Sequence, residues 1–374
     1  MRINDIMTAR GKKIAAATVA ACALFTAGCA GGAEAGNEAS SSNTVTIQDQ
    51  RGQDVTVAQP VERIATAVIP SPAIIAAVDG SWDKIVGINE STLKANQEGI
   101  IGKIFPESMT TEVVSTRDFT PDMEKILGLN PDVMIQWGTY GEDKIAPIEQ
   151  AGIPMLGLKY GTQADLEKWV TMFGQMLGKE DRAGEIIGNM DSEAKKISEK
   201  VAAIDGPSPR ALSLSYSSEK LSVSNGDDYA QHVYDLTGVT NVAKDSQVTD
   251  GVVDAEQIIE WDPEIIFLSA FDAATPEDVY NDPRFQGLSA VKEKRVYRSP
   301  LGVYRWQVPC AESPLFWNWV AALAYPGEFE VDLPELTREQ TRFLYNYELS
   351  DGDIEHILRT DLNGGSANYD AVSK

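Results

Sequence analysis

The stretch "EKILGLNPDVMI", from Glu124 to Ile135, returns later in the chain as "EQIIEWDPEIIF", from Glu256 to Phe267. In each copy an acid precedes a short apolar stretch, then Asn-Pro or Asp-Pro, then an apolar run. Proline ends a helix, and a short apolar run after a turn is typical of a buried strand. Helix starts are predicted at Thr120 with Pro121 and at Asp254. Each copy therefore predicts helix, turn and strand, and the repetition indicates two lobes built alike.

The sequence around these copies alternates between short apolar runs and helical stretches. After an opening hairpin predicted in "TVTIQDQRGQDVTV", the first set runs through "RIATAVI", "PAIIAAVD", "KIVGI", "DVMIQWG" and "PMLGLK". A second set runs from "RALSLSY" through "EIIFLSAF" to "RVYRSP". Strand and helix in alternation predict a parallel sheet with helices on its faces. The predicted fold is α/β, with two lobes that have central parallel sheets.

The segment between the two sets has only helical periodicity. Apolar residues from Leu166 to Leu177 recur at threes and fours, and Gly178 is predicted to end that helix. A second helix is predicted from Asp181 to Ile204, and at 1.5 Å per residue it would be about 36 Å long. That length is sufficient for one helix to join the two lobes.

The N-terminal residues carry an export signal. Basic residues precede the apolar run "IAAATVAACALFTAG", which is too short to span a bilayer and is typical of a signal-peptide core. The run ends in "TAGC", which resembles a bacterial lipobox, although Thr26 stands where leucine is usual. The prediction is a signal peptide over residues 1–28, lipidation of Cys29, and a flexible tether over 29–43. Ordinary signal-peptide cleavage beside an incidental cysteine is the alternative.

Charge and composition exclude several functions. A formal net charge of −24 argues against nucleic-acid binding. His232 and His356 stand alone, and Cys310 is interpreted as a packing residue, so no protein metal site or cofactor is predicted. The sequence has no G-x-S-x-G and no P-loop, and the paired acids of "GDDY", from Gly226 to Tyr229, are interpreted as a turn.

The order of these parts resembles the class III substrate-binding proteins of ABC importers, which carry iron-siderophores, haem and cobalamin. The resemblance rests on "VERIATAVIPSPAIIAAVDGSWDKIVGIN", "MEKILGLNPDVMIQWG", "DAEQIIEWDPEIIFLSA", "NDPRFQGLSAVKEKRVYRSP" and "ESPLFWNWVAALAYP". It implies an N-terminal lobe over 44–164, a helical segment with the inter-lobe helix over 165–205, a C-terminal lobe over 206–325 and a helical tail over 326–374. It further implies a monomer whose Glu124 and Glu256 meet arginines of a membrane permease that ATPase subunits drive.

Ligand-binding residues are sought where strands end, because ligands of open α/β sheets lie beyond the carboxyl ends of the strands. The candidates are Ser71, Trp137, Tyr140, Tyr160, Tyr216, Phe271, Tyr304, Arg305 and Trp306. Their aromatic character favours a bulky, partly apolar ligand, and Arg305 is suited to pair with an anionic group. A metal would then arrive inside a chelate rather than bind protein side chains.

Two other functions remain open at this point. An exported, lipid-anchored hydrolase would turn over a substrate, since carboxylate pairs need not be close in sequence. A structural or adhesive surface protein would bind no pocket ligand. Within the transport hypothesis, the ligand is an iron-siderophore or a similar chelate or corrinoid, and haem or a small anion stays possible.

Overall fold

The computed structural model describes residues 43–217, 219–246 and 251–374. The predicted signal peptide, the lipidation site at Cys29 and nearly all of the predicted tether lie outside these residues. The alternating pattern that follows folds as the predicted hairpin, in which β1 (Thr44–Gln48) pairs antiparallel with β2 (Asp54–Ala58). Ile47 and Val57 on its inner face are buried, so the hairpin covers the N-terminal lobe.

The N-terminal lobe is a parallel sheet covered by helices. Its strands are β3 (Ile64–Thr66), β4 (Ile85–Asn89), β5 (Glu112–Ser115), β6 (Val133–Trp137) and β7 (Met155–Leu158), in the order β5-β4-β3-β6-β7. The helices are α1 (Ser71–Asp79), α2 (Glu90–Glu98), α3 (Ile101–Ile104), α4 (Met123–Leu129), α5 (Glu142–Gln150) and α6 (Gln163–Leu177), with a 3₁₀ turn at Pro106–Met109. All four strand pairs are parallel, as the alternating sequence pattern predicts.

One long helix, α7 (Glu180–Ala202), joins the lobes as predicted. Helix α6 ends at Gly178, whose φ of 65° is the left-handed conformation that glycine adopts without strain. The apolar face of α7 buries Ala183, Ile186, Met190 and Ile197, while its other face is charged. Like every other helix within the described ranges, it is too polar or too short to cross a bilayer.

The C-terminal lobe contains a mixed sheet, which corrects the prediction of parallel strands there. Its strands are β8 (Arg210–Tyr216), β9 (Leu221–Val223), β10 (Thr240–Asn241), β11 (Val252–Val253), β12 (Ile265–Leu268) and β13 (Val296–Arg298). Strands β8, β10, β12 and β13 pair in parallel, but β9 is antiparallel to both β8 and β11. The turn from Ser217 to Lys220 is too short for a crossover, so β8 and β9 form a hairpin.

The repeated segment takes the same form in both lobes. Helix α4 ends at Asn130 and leads into β6, and α9 (Ala255–Trp261) ends at Asp262 and leads into β12. Both end residues are left-handed and both precede a proline. The start of the first copy differs from the prediction. Asp122, rather than Thr120 with Pro121, caps α4 by accepting from the backbone N–H of Lys125.

Helices complete the C-terminal part of the chain and also contact the first lobe. They are α8 (Tyr229–Thr237), α10 (Pro276–Tyr280), α11 (Ser289–Lys292), α12 (Ser313–Ala324), α13 (Leu333–Tyr345), α14 (Asp351–Ile357), α15 (Thr360–Asn363) and α16 (Asp370–Ser373), with a 3₁₀ turn at Pro283–Phe285. Every residue of α12 is buried. The tail returns to the N-terminal lobe, where Asp353 pairs with Lys103 and His356 Nε2 lies 2.8 Å from the Glu98 carbonyl. It therefore ties the two lobes together.

Candidate functional site

A cavity of about 210 Å³ lies between the lobes, at the carboxyl ends of β8, β12 and β13. Its lining residues are Tyr160, Ser213, Leu214, Ser215, Ser222, Val223, Ser224, Asp228, Ala230, Phe267, Ser269, Phe271, Ser299, Gln307 and Val308. Tyr160 comes from the N-terminal lobe, and the others come from the C-terminal lobe. This is the position that the rule for open α/β sheets predicts for a ligand.

Serine hydroxyls dominate the C-terminal wall of this cavity. Ser213 and Ser215 alternate with apolar residues on β8, so they share one face of the sheet. Ser269 and Ser299 directly follow β12 and β13. Ser215 Oγ donates to Asp272 Oδ2 over 2.7 Å. The wall therefore offers many neutral donors and acceptors.

On the opposite side of the cavity the N-terminal lobe contributes Tyr160, which belongs to a group of packed aromatic rings. Trp137, at the end of β6, has its ring centroid 5.5 Å from that of Tyr140 and 5.9 Å from that of Tyr160. The ring centroid of Phe119 lies 5.1 Å from that of Tyr140 and 6.1 Å from that of Trp137. These four residues, Phe119, Trp137, Tyr140 and Tyr160, form the aromatic cluster. Three of them were candidates from the sequence, and the structure brings those three together beside the cavity.

Phe271, another residue proposed from the sequence, lines the cavity from the loop after β12. Arg298, at the end of β13, holds this loop by donating to the carbonyls of Ser269, Asp272 and Ala274. Burial lowers the pKa of Arg298 to about 10. The guanidinium donors of Arg298 are therefore used to hold this loop and not to bind a ligand.

Arg305 lies behind the cavity rather than on its lining. It is 1% exposed, and its guanidinium carbon is 4.4 Å from the centroid of the Phe271 ring and 5.7 Å from that of Tyr304. Its Nε donates to the Ala270 carbonyl, and its Nη2 lies 3.7 Å from the Glu98 carboxylate. Since Glu98 ends α2, this pair bridges the lobes.

A buried carboxyl group fixes the loop that carries Arg305. Glu312, 1% exposed, accepts from the backbone N–H groups of Val303 at 3.2 Å and Tyr304 at 2.9 Å. Burial raises the pKa of this carboxyl to about 7. Glu312 therefore acts on the site through the loop backbone, without lining the cavity.

The remaining candidates lie apart from the cavity lining. Ser71 is buried, bonded to Thr66 Oγ1 at 2.6 Å and donating to the Val68 carbonyl at 2.8 Å. Tyr304 and Trp306 are buried within the protein. Tyr216 turns away, and its hydroxyl donates to Asp282 over 2.8 Å. An aromatic residue at a strand end can therefore line a pocket or fill the core, and its type alone does not tell which.

The lining serines and Asp228 were not among the residues predicted from the sequence. The alternation of Ser213 with Ser215 and of Ser222 with Ser224 was a signal that one polar face lines a cavity. Asp228 belongs to the "GDDY" segment, which does form a turn, but it also lines the cavity. A turn interpretation and a ligand contact are therefore compatible there.

The two predicted docking acids lie away from the cavity on equivalent surfaces. Glu124 and Glu256 are exposed in the first turns of α4 and α9. Neither side chain forms an ion pair or hydrogen bond with any residue in the described part of the chain. The exposed apolar residues Leu127 and Ile259 follow them, one helical turn later in each copy.

Comparison with known proteins is consistent with this architecture. Residues 69–300 match the family described as periplasmic binding protein. A periplasmic solute binding protein from Veillonella parvula is 32% identical in sequence and superposes with a TM-score of 0.77, covering 86% of this chain and 99% of that chain.

Similar proteins include one without a named ligand and two that are named for different ligands. An ABC transporter substrate-binding lipoprotein of Bacillus subtilis, YvrC, is 25% identical over 74% of this chain and 85% of its own length. The molybdate-binding protein MolA of Haemophilus influenzae is 20% identical over 80% of this chain and 88% of its own length. The iron(3+)-hydroxamate-binding protein FhuD of Bacillus subtilis is 24% identical over 62% of this chain and 75% of its own length.

The chain belongs to the periplasmic binding protein family, the extracytoplasmic substrate-binding proteins of ABC importers, and it has their class III fold. It is a binding protein that serves a permease with its ATPase, and it is not an enzyme. The alternative of an exported hydrolase is therefore wrong, and an adhesive protein without a ligand does not fit the family.

Proposed function

We propose that this chain captures a metal chelate of the iron-siderophore or corrinoid type in the inter-lobe cavity and delivers it to its permease. The observation that carries the proposal is a cavity with a serine-lined wall that also presents Tyr160, from the aromatic cluster, and Phe271. Flat aromatic faces suit the apolar skeleton of a chelate, and hydroxyls suit its amide and ligand oxygens. The similarity to an iron(3+)-hydroxamate-binding protein supports this ligand class.

The metal would enter as part of the ligand. Among the described residues, no group of three or more His, Cys, Asp or Glu side chains is placed to hold a metal ion. The ring of His232 packs against those of Tyr229 and Trp317, with centroids 5.5 Å and 5.6 Å away, and burial lowers the pKa of His232. When a chelator already fills the coordination shell of the metal, the protein needs to recognise only the outer surface of the chelate.

Anchoring by lipid is the second part of the proposal. The "TAGC" segment and the Gly/Ala/Ser-rich residues after Cys29 support it, and YvrC, a similar protein, is named a lipoprotein. A lipidated Cys29 would keep the binding domain close to its permease at the membrane surface.

A small oxyanion is the second candidate ligand. It is favoured by the similarity to the molybdate-binding protein and by a cavity of only about 210 Å³. The lining weighs against it, because the described lining residues include Asp228 and no lysine, arginine or histidine.

Native mass spectrometry of protein purified from its own host, with metal analysis, tests the ligand class directly. We expect a bound species whose mass exceeds that of the metal by the mass of an organic chelator. Titration of emptied protein with ferric hydroxamate, ferric citrate, cobalamin and molybdate, followed by tryptophan fluorescence, gives the order of affinities. Molybdate binding with no response to any chelate would replace the chelate proposal by the oxyanion candidate.

A further inference from the structure

The cavity carries a single formal charge among its described lining residues, and that charge is negative. Asp228 is the only ionisable residue there besides Tyr160, whose pKa is raised by burial, so that it stays neutral. Two arginines close to the lining are already engaged: Arg305 lies against Phe271 and is paired with Glu98, and Arg298 donates to loop carbonyls. A ligand in this cavity therefore meets a carboxylate and no compensating cation from these residues.

Asp228 is also short of partners for a carboxylate in its position. It stands at the N-cap of α8 but makes no side-chain bond to the first turn, whereas Asp122 and Asp254 do cap their helices. Among the described residues, its Oδ2 accepts a long bond, 3.3 Å, from the backbone N–H of Asn225, and Ser224 is a further hydrogen-bond partner. Burial raises its pKa, because water solvates it incompletely. The carboxylate has acceptor capacity left for a ligand.

Tyr160, with Trp137 packed against it, supplies a second preference for positive charge. Tyr160 lines the cavity with Asp228, and Tyr140 is 41% exposed beside it. Burial, and after it the negative charge of Asp228, raises the pKa of both tyrosines. Aromatic faces attract cations through the ring quadrupole. A carboxylate facing aromatic rings is a setting that a protonated amine stabilises.

We propose that Asp228 and the aromatic cluster recognise a positively charged amine, or a comparable N–H donor, carried on the ligand. This inference rests on the proposed function and narrows it, because the chelate delivered would bear a cationic arm beside its metal centre. The amine donates to the free Asp228 oxygen and lies against Tyr140 and Tyr160. An oxyanion in the same place would face a like charge, which disfavours it.

The test compares two ferric trihydroxamate chelates that differ only in one primary amine, free in the first and acetylated in the second. Wild-type protein should bind the free-amine chelate about tenfold or more tightly, the scale expected for a hydrogen bond to a charged group. Asp228→Asn should bring the two affinities to within about twofold by weakening the amine chelate. Asp227→Asn, which removes the exposed neighbouring acid outside the lining, should keep the preference.

The outcomes separate this inference from the function on which it rests. Equal binding of the two chelates by the wild type, or a preference that survives in Asp228→Asn, overturns the role of Asp228 while leaving chelate binding intact. Failure of both chelates to bind the wild type overturns the inference, and the chelate proposal falls with it if ferric citrate and cobalamin do not bind either. If Asp228→Asn does not fold, Asp228→Ser keeps an N-cap oxygen and allows the same comparison.

Discussion

Leu127 and Ile259 occupy the same position in the two copies of the repeated segment, and their exposed fractions are 56% and 46%. Each follows a predicted docking acid by one turn of an equivalent helix, Glu124 in α4 and Glu256 in α9. Residues so spaced share a helix face. Each lobe thus presents an acid beside an apolar side chain, and a permease with two similar halves could contact both.

The acids themselves give the first prediction. Glu124→Ala and Glu256→Ala should leave ligand affinity and melting temperature nearly unchanged, because both side chains are exposed and away from the cavity. Uptake and permease-stimulated ATP hydrolysis should fall in each variant and fall further in the double variant. Reversal to lysine should reduce transport more than alanine does, since like charges would face the permease arginines.

A purely structural role for these acids makes the opposite prediction. An acid in the first turn of a helix interacts favourably with the helix dipole and stabilises the protein by about 0.3–1 kcal/mol. Removing it would then lower stability slightly and leave transport intact. Normal uptake by the double alanine variant would establish that role and reject docking.

The apolar pair gives the second prediction. Leu127→Ser and Ile259→Ser should reduce transport without loss of stability, because exposed apolar side chains contribute little to the fold but are buried when a partner covers them. Met109→Ser, at another exposed apolar residue, is the matched control and should transport normally. Equal transport by all three variants would limit the docking surface to the acids.

The parts of the fold that depend on local pattern were predictable from the sequence. The inter-lobe helix was predicted at Asp181–Ile204 and observed at Glu180–Ala202, because its apolar face repeats with the helical period over many residues. The antiparallel strand β9 was not predicted, since its three residues leave too short a pattern to show direction.

The site was less predictable than the fold, for a physical reason. Trp137 and Trp306 both follow apolar runs and both are buried, yet Trp137 belongs to the cluster beside the cavity and Trp306 lies in the core. That difference arises from packing of distant segments, which no local pattern records. Serine contributes little to apolar periodicity, so the local pattern did not indicate the serine-lined wall. These hydroxyls come together only in the folded sheet.

Anchoring gives the third prediction. Cys29→Ser should release the protein from membranes, because a serine at that position cannot carry the thioether-linked lipid. Ligand affinity should be unchanged, since Cys29 precedes the described domain. Fractionation after a salt wash, with Cys310→Ser as the control, measures the effect. A membrane-bound Cys29→Ser protein would contradict the lipoprotein proposal.

Ligand binding gives the fourth prediction. Trp137 lies 5.9 Å from Tyr160, which lines the cavity, so a bound chelate should change its fluorescence. Trp137→Phe should remove most of that change, whereas Trp82→Phe, at a tryptophan packed against Phe105, should keep it. Binding should also stabilise the wild type by about 2.7 kcal/mol at a hundredfold excess over the Kd, as a thermal melt would show. A ligand-induced change that survives in Trp137→Phe would place the ligand elsewhere.

The buried Glu312 gives the last prediction, which concerns pH. Burial raises the folded-state pKa of this carboxyl from 4.5 to about 7. The folded protein therefore holds this proton more tightly than the unfolded chain does. The resulting stabilisation is fully present below the unfolded pKa and is lost as pH rises through about 7.

Glu312→Gln removes the titration while keeping an oxygen that can accept from Tyr304. Between pH 4.5 and 7 the wild type should therefore lose stability relative to Glu312→Gln, although other groups add their own pH dependence to both proteins. Urea unfolding at a series of pH values measures the difference between the two midpoints, and Glu339→Gln, at an exposed acid of α13, should stay parallel to the wild type. A constant difference between wild type and Glu312→Gln across this range would mean that Glu312 ionises in the folded protein as freely as in the unfolded chain.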